Sequence, residues 1–116
     1  MAMITRDLEI VQGDDYAAAD GRAFVFTSAG QVWPDLSAAT LAFKVARVNE
    51  SDALFTATPT RSVVAGLQHV TVPLTAAQTS QLAQGTNSHD YVLQATVGGR
   101  RLTLAAGYIT TRGDVL

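Results

Sequence analysis

Apolar residues recur at every second position in a series of short runs along this chain, the period of half-buried extended strands. The clearest run is Thr40-Leu-Ala-Phe-Lys-Val-Ala-Arg47, with Leu41, Phe43 and Val45 on one face and Thr40, Ala42, Lys44 and Ala46 on the other. Residues 8–12 bring Leu8 and Ile10 together, and residues 22–28 bring Phe24 and Phe26 together. Residues 67–72 turn Val70 and Val72 inward, and residues 91–97 align Tyr91, Leu93, Ala95 and Val97. Residues 53–58 are threonine-rich, which suits an edge strand, and Pro59 ends them. Arg61 to Val64 adds one more short strand before Gly66. Gly13-Asp14-Asp15, Asp20-Gly21 and Ala29-Gly30 punctuate the runs, and Pro34 biases Trp33 toward extended backbone.

Two local signals refine this pattern. Thr75-Ala-Ala-Gln78 is a capping box: the threonine hydroxyl can accept the Gln78 amide while the glutamine side chain reaches back. Leu74 and Leu82 would anchor the short helix that follows, about Ala76 to Ala83, and Gly85 is a ready stop. Gly98-Gly99 can take the positive φ angles of a two-residue hairpin turn. In the returning strand Ile109 is one residue out of phase with Leu104, which predicts a bulge at Gly107. Seven or eight short strands at a spacing of about 8–12 residues predict an all-β chain. The expectation is a single immunoglobulin-like antiparallel β-sandwich over residues 1–116, with one short capped helix before the closing hairpin.

Composition narrows the function. At 47% hydrophobic and 16% charged residues the chain has an ordinary globular balance. Its net charge of -2 is spread without runs, so no basic stripe is available for a phosphate backbone and no nucleic-acid partner is expected. Without cysteine there is no disulfide and no thiolate metal site. Met1-Ala-Met-Ile-Thr-Arg-Asp7 lacks an apolar core, so no ordinary secretion signal is expected, and no apolar run approaches the ~20 residues of a membrane helix.

Candidate chemistry is sparse. His69, His89 and Asp90 are the one combination with metal-binding or acid–base potential, since histidines on separate strands can meet across a sheet. They show no His-x-x-x-His spacing, and the expectation is two solvated surface histidines, with His69 on the outer face of its strand. Asp14, Asp15 and Asp20 lack the Asp-x-Asp-x-Asp-Gly arrangement of a calcium loop and are expected to form turns. Glu9 and Glu50 are the sole glutamates, so no facing carboxylate pair suggests glycoside hydrolysis. Ser28, Ser37, Ser51, Ser62, Ser80 and Ser88 all lack a nucleophile elbow. Arg112-Gly113-Asp114 spells an integrin-type tripeptide, expected to be coincidental after a final strand. No catalytic residue, cofactor site or metal site is assigned, and no enzymatic activity is expected. Trp33 and Tyr108 could serve as sugar platforms or interface anchors, although Trp33 is expected to close one end of the core.

Longer stretches carry a family likeness. Leu8-Glu-Ile-Val-Gln-Gly13-Asp14, Asp35-Leu-Ser-Ala-Ala-Thr-Leu-Ala-Phe-Lys-Val45 and Val72-Pro-Leu-Thr-Ala-Ala-Gln-Thr79 are similar to segments of small virion domains of tailed phages. Tyr91-Val-Leu-Gln-Ala and Gly107-Tyr-Ile-Thr match their closing hairpin. Across about Asp7 to Val115 the chain resembles the N-terminal domain of baseplate upper proteins and related tail or fibre-associated proteins. Asp15-Tyr16 follows Gly13-Asp14 where that family usually has threonine. Baseplate proteins continue into coiled-coil or receptor-binding regions where this sequence ends, so the expected role widens to neck, tail-accessory or capsid-decorating subunits. The resemblance implies a non-enzymatic virion protein, made in the host cytoplasm, whose partners are other virion proteins and itself in a homo-oligomer or symmetric array. Trp33, Leu54, Thr56, Thr58 and Tyr108 are the expected contact residues. The alternative is a small carbohydrate-binding or adhesive β-sandwich.

Overall fold

The computed structural model describes residues 3–113. In chain order the strands are β1 (Ile4–Thr5), β2 (Leu8–Val11), β3 (Phe24–Thr27), β4 (Thr40–Arg47), β5 (Phe55–Ala57), β6 (Thr60–Val64), β7 (Leu67–Val72), β8 (Gly85–Val97) and β9 (Arg100–Arg112). A helix of one turn, α1 (Ala76–Thr79), lies between β7 and β8. The strands form a six-stranded sheet, ordered β1-β9-β8-β4-β5 with β2 also on β9, and a three-stranded sheet ordered β3-β7-β6. The alternation in the sequence is the cause of this layering, because each sheet must bury one face of its strands. Phe26, Val70 and Val72 of the small sheet and Phe43, Val45, Tyr91, Leu93 and Ile109 of the large one are almost fully buried. The Tyr91 ring stacks on Phe43 at 5.0 Å and meets Phe26 at 6.1 Å, so it joins the two layers. Each such side chain contributes about 1.5–3 kcal/mol by leaving water.

The β8–β9 hairpin turns through Gly98 and Gly99, whose φ angles are 57° and 79°, with Val97 opposite Arg100. The register slips further along, where Leu93 faces Ala105 but Gln94 faces Thr103. The extra residue is therefore Leu104, and Leu104 and Ala105 both enter the core. This moves the bulge three residues from Gly107. Gly107 answers a different demand: a Cβ there would overlap the Arg6 carbonyl.

The first two strands depart from an all-antiparallel arrangement. β1 and β2 both run parallel to β9, with Ile4 opposite Ala105 and Leu8 opposite Ile109. The alternation of Leu8 and Ile10 tells which face is buried and is silent on strand direction.

The helix has the full capping box, with Thr75 Oγ1 accepting from Gln78 N at 3.1 Å and Gln78 Oε1 accepting from Thr75 N at 2.9 Å. It ends at Thr79, four residues short of the expected Ala83. The Thr79 and Ser80 hydroxyls both donate to the Ala76 carbonyl, and Thr79 also donates to Asp14 O at 2.8 Å. Such local bonds compete with helix continuation. The chain closes instead in tighter turns, Gln81 N to Gln78 O and Leu82 N to Thr79 O, both at 3.1 Å. Leu74 and Leu82 are buried on either side of it as the sequence predicts.

Candidate interaction surfaces

Arg6 lies in the short break between β1 and β2, and both its backbone and its side chain are engaged. Its amide donates to Ala106 O at 3.2 Å on the large sheet, and its carbonyl accepts the Tyr91 hydroxyl. Its guanidinium donates to Val25 O at 2.9 Å on the small sheet and lies over the Phe26 and Phe24 rings at 5.1 and 5.9 Å. Asp7 completes the clasp by accepting from Tyr108 N at 3.0 Å. Burial pushes the Tyr91 phenol up to about 12, with the Arg6 charge opposing and Asp7 reinforcing the shift. Nothing in the periodicity of the sequence marks Arg6, because its role depends on two strands distant in the chain.

The first-loop aspartates are dispersed in function. Asp14 pairs with Arg22 at 3.1 Å, and Arg22 in turn lies over the Tyr16 ring at 4.6 Å. Asp15 accepts from Ala76 N at 2.7 Å, a second cap on the one-turn helix. The Asp14 and Asp15 carboxylates are thus tied to Arg22 and to the helix, rather than to the turn bonds expected of them. Among the described residues no group of three or more histidines and carboxylates is placed to hold a metal ion.

The two histidines are far from equivalent. His69 is half-buried on the outer face of the small sheet, opposite Thr27 and Ser62. His89 is wholly buried, which corrects the expectation of a solvated surface residue. His89, expected at the start of its strand, lies inside β8, in phase with Tyr91 and Leu93, and points into the sandwich. Its Nδ1 lies 2.8 Å from Ser88 Oγ, while Nε2 is buried with no partner. Desolvation holds the imidazole pKa below its ordinary value, helped by Arg47 opposite it on β4 and opposed by Asp90 and Glu50. Asp90 turns to the outer face beside Ala46 and Tyr108, so the three residues form no common site.

The expected contact residues are scattered. Trp33 is half-buried against the core, in the irregular segment between β3 and β4. Gln68 holds that segment in place, accepting from Leu36 N and donating to Pro34 O, each at 2.8 Å. Leu54 and Thr56 lie at or beside β5, the edge of the large sheet, with Leu54 packed against the core and Thr56 exposed; Thr58 is exposed just beyond. Tyr108 is 45% exposed on the outer face of β9. Trp33 packs inward from the β3–β4 segment and Tyr108 faces outward from the large sheet, so they make no shared aromatic platform. Arg112 pairs with Glu9 at 2.7 Å, and Asp114 of the Arg-Gly-Asp tripeptide lies outside the described residues.

Val32, in the β3–β4 segment, is 78% exposed, and several further exposed apolar residues lie on the small sheet. Val63 and Val64 of β6 are each 53% exposed, Leu67 lies opposite Val64, and Val25 is exposed toward the other end of the sheet, opposite Thr71. Register places Val64, Leu67 and Val25 on the outer face together with Ser62, His69, Thr27, Thr60 and Thr71. That face carries no Asp, Glu, Lys or Arg. The available signal was the sequence Ser62-Val-Val64, in which no alternation separates an inner from an outer valine. A shallow open groove where β2, the start of β8 and the end of β9 meet is lined by Val11, Asp14, Gly85, Thr86, Thr111 and Arg112. It arises because residues 86–88 loop out opposite the single residue Thr110. No protein-family model matches the chain, and no curated protein matches it.

Proposed function

We propose that this chain is a non-enzymatic structural protein of a tailed-phage particle, a tail, baseplate or neck accessory or a capsid-decorating subunit, that works through protein–protein contacts. The observation that carries the reading is where most of the exposed apolar residues lie: Val25, Val63, Val64, Leu67 and Tyr108 are exposed on sheet faces and edges, where flat contacts form, rather than around a concavity. The likeness of residues 7–115 to virion domains supplies the setting. The sandwich itself supports the role, since two sheets joined by the Tyr91 and Arg6 contacts present rigid outer surfaces. The test is to fractionate a producing culture on a density gradient and quantify the chain by mass spectrometry. It should band with particles at a fixed ratio to their major proteins. A chain confined to the particle-free fractions would refute the proposal.

A further inference from the structure

We infer that β6 is a self-association edge, at which two copies of this chain pair antiparallel about a twofold axis through Ser62. An exposed strand edge is a template for another strand unless something blunts it. The other edges are blunted. On β3 the Arg6 guanidinium occupies the Val25 carbonyl, β5 is only three residues long, and β1 and β2 are short and separated by the Arg6-Asp7 break. β6 has five residues, no proline, no bulge against β7 and no lysine. Its single charged side chain, Arg61, is folded back onto its own subunit, with Nε 3.2 Å from Gln68 Oε1 and the guanidinium 3.3 Å from Asp35.

The occupant that fits this edge is a second copy, because the strand is compatible with itself. An antiparallel pair centred on Ser62 sets Thr60 against Val64, Arg61 against Val63, and Ser62 against Ser62. No like charges meet, β-branched residues meet at both ends, and Arg61 lies across from an uncharged valine. In such a pair the outward-facing row Val25-Thr71-Thr60 of one subunit would continue into Val64 and Leu67 of the other. An isologous pair uses up the edge on both copies, and the Arg6 cap on β3 stops growth on the far side, so the product is a closed dimer rather than a filament. The inference extends the contact-protein reading, but it concerns free subunits, so its failure would leave the particle test standing.

Sedimentation velocity on the purified chain tests it, using wild type, Ser62→Lys, Ser62→Glu and an equal mixture of the two variants. Ser62 is exposed, so both substitutions should leave the fold intact, as circular dichroism would verify. Wild type should sediment as a concentration-dependent dimer, each charged variant as a monomer, and the mixture as a dimer again. A wild-type monomer at every concentration would overturn the inference. A dimer that survives Ser62→Lys would do the same, as would a mixture that stays monomeric. Because the chain has no cysteine, Ser62→Cys adds a separate reading: mild oxidation should give a disulfide-linked dimer, while Thr56→Cys on β5 should not.

Discussion

Gly107 and Arg6 share one point in space: a Cβ built on Gly107 would stand 2.8 Å from the Arg6 carbonyl carbon and closer still to its oxygen. The obstacle is backbone, held by the Ala106 and Tyr91 hydrogen bonds, and it cannot swing aside as a side chain could. Gly107→Ala should therefore destabilise the domain by about 3 kcal/mol through displacement of the N-terminal strands. Gly99→Ala should cost about 1 kcal/mol, since Gly99 has a positive φ of 79° but no neighbour within contact distance. Urea unfolding of the two variants gives the comparison, and equal losses would contradict the assigned cause.

Tyr91→Phe removes the hydroxyl that reaches the Arg6 carbonyl while keeping the ring against Phe43 and Phe26. A loss of about 1–2 kcal/mol is expected for that buried bond. The variant should also differ from wild type in alkali. The folded-state pKa of about 12 exceeds the ordinary value of 10.0, so the neutral phenol is favoured by folding. Its contribution is complete below pH 10 and is lost as pH rises from there toward 12. Stability curves measured across that range should fall more steeply for wild type than for Tyr91→Phe.

His89 gives the opposite limb. Its folded-state pKa lies below the ordinary 6.5, so the unfolded chain takes up a proton more readily than the folded one. Stability should be full above about pH 6.5 and decline as the pH falls below it. Protonation would place a cation beside the buried Nε2, which has no partner to share the charge. His89→Phe removes the titrating group, and its melting temperature should show a shallower fall between neutral and mildly acidic buffers. An unchanged slope would mean that other groups set the acid limb.

Thr75→Ala should lower stability by about 1 kcal/mol by breaking the reciprocal cap, as read from denaturant midpoints. Asp15→Ala, which removes the carboxylate accepting from Ala76 N, should cost a similar amount. The two act on the same turn, so their combination should fall short of the sum.

The parts of the fold that were legible in the sequence are those written in local chemistry. β4 shows its eight-residue alternation, Thr75 and Gln78 show their cap, and the Gly98-Gly99 pair shows its turn. The hidden parts depend on residues far apart in the chain. The parallel direction of β2 is set by a partner about a hundred positions away, and Arg6 gains meaning only once Val25, Tyr91 and Ala106 surround it. The burial of His89 is open to inference, since counting back by twos from Leu93 and Tyr91 reaches it; its polar ring, at the start of a strand, argues for the surface instead. β6 was found as a strand, but its exposed edge could not be foreseen, since edges are properties of sheet order.

The docking of β1 and β2 on β9 imposes an order on folding. Val11 finds its partner in Arg112, about a hundred positions further along, whereas the β8–β9 hairpin closes through its own two-residue turn. The hairpin is the cheap step, and the large sheet is completed only when the longest loop in the domain closes.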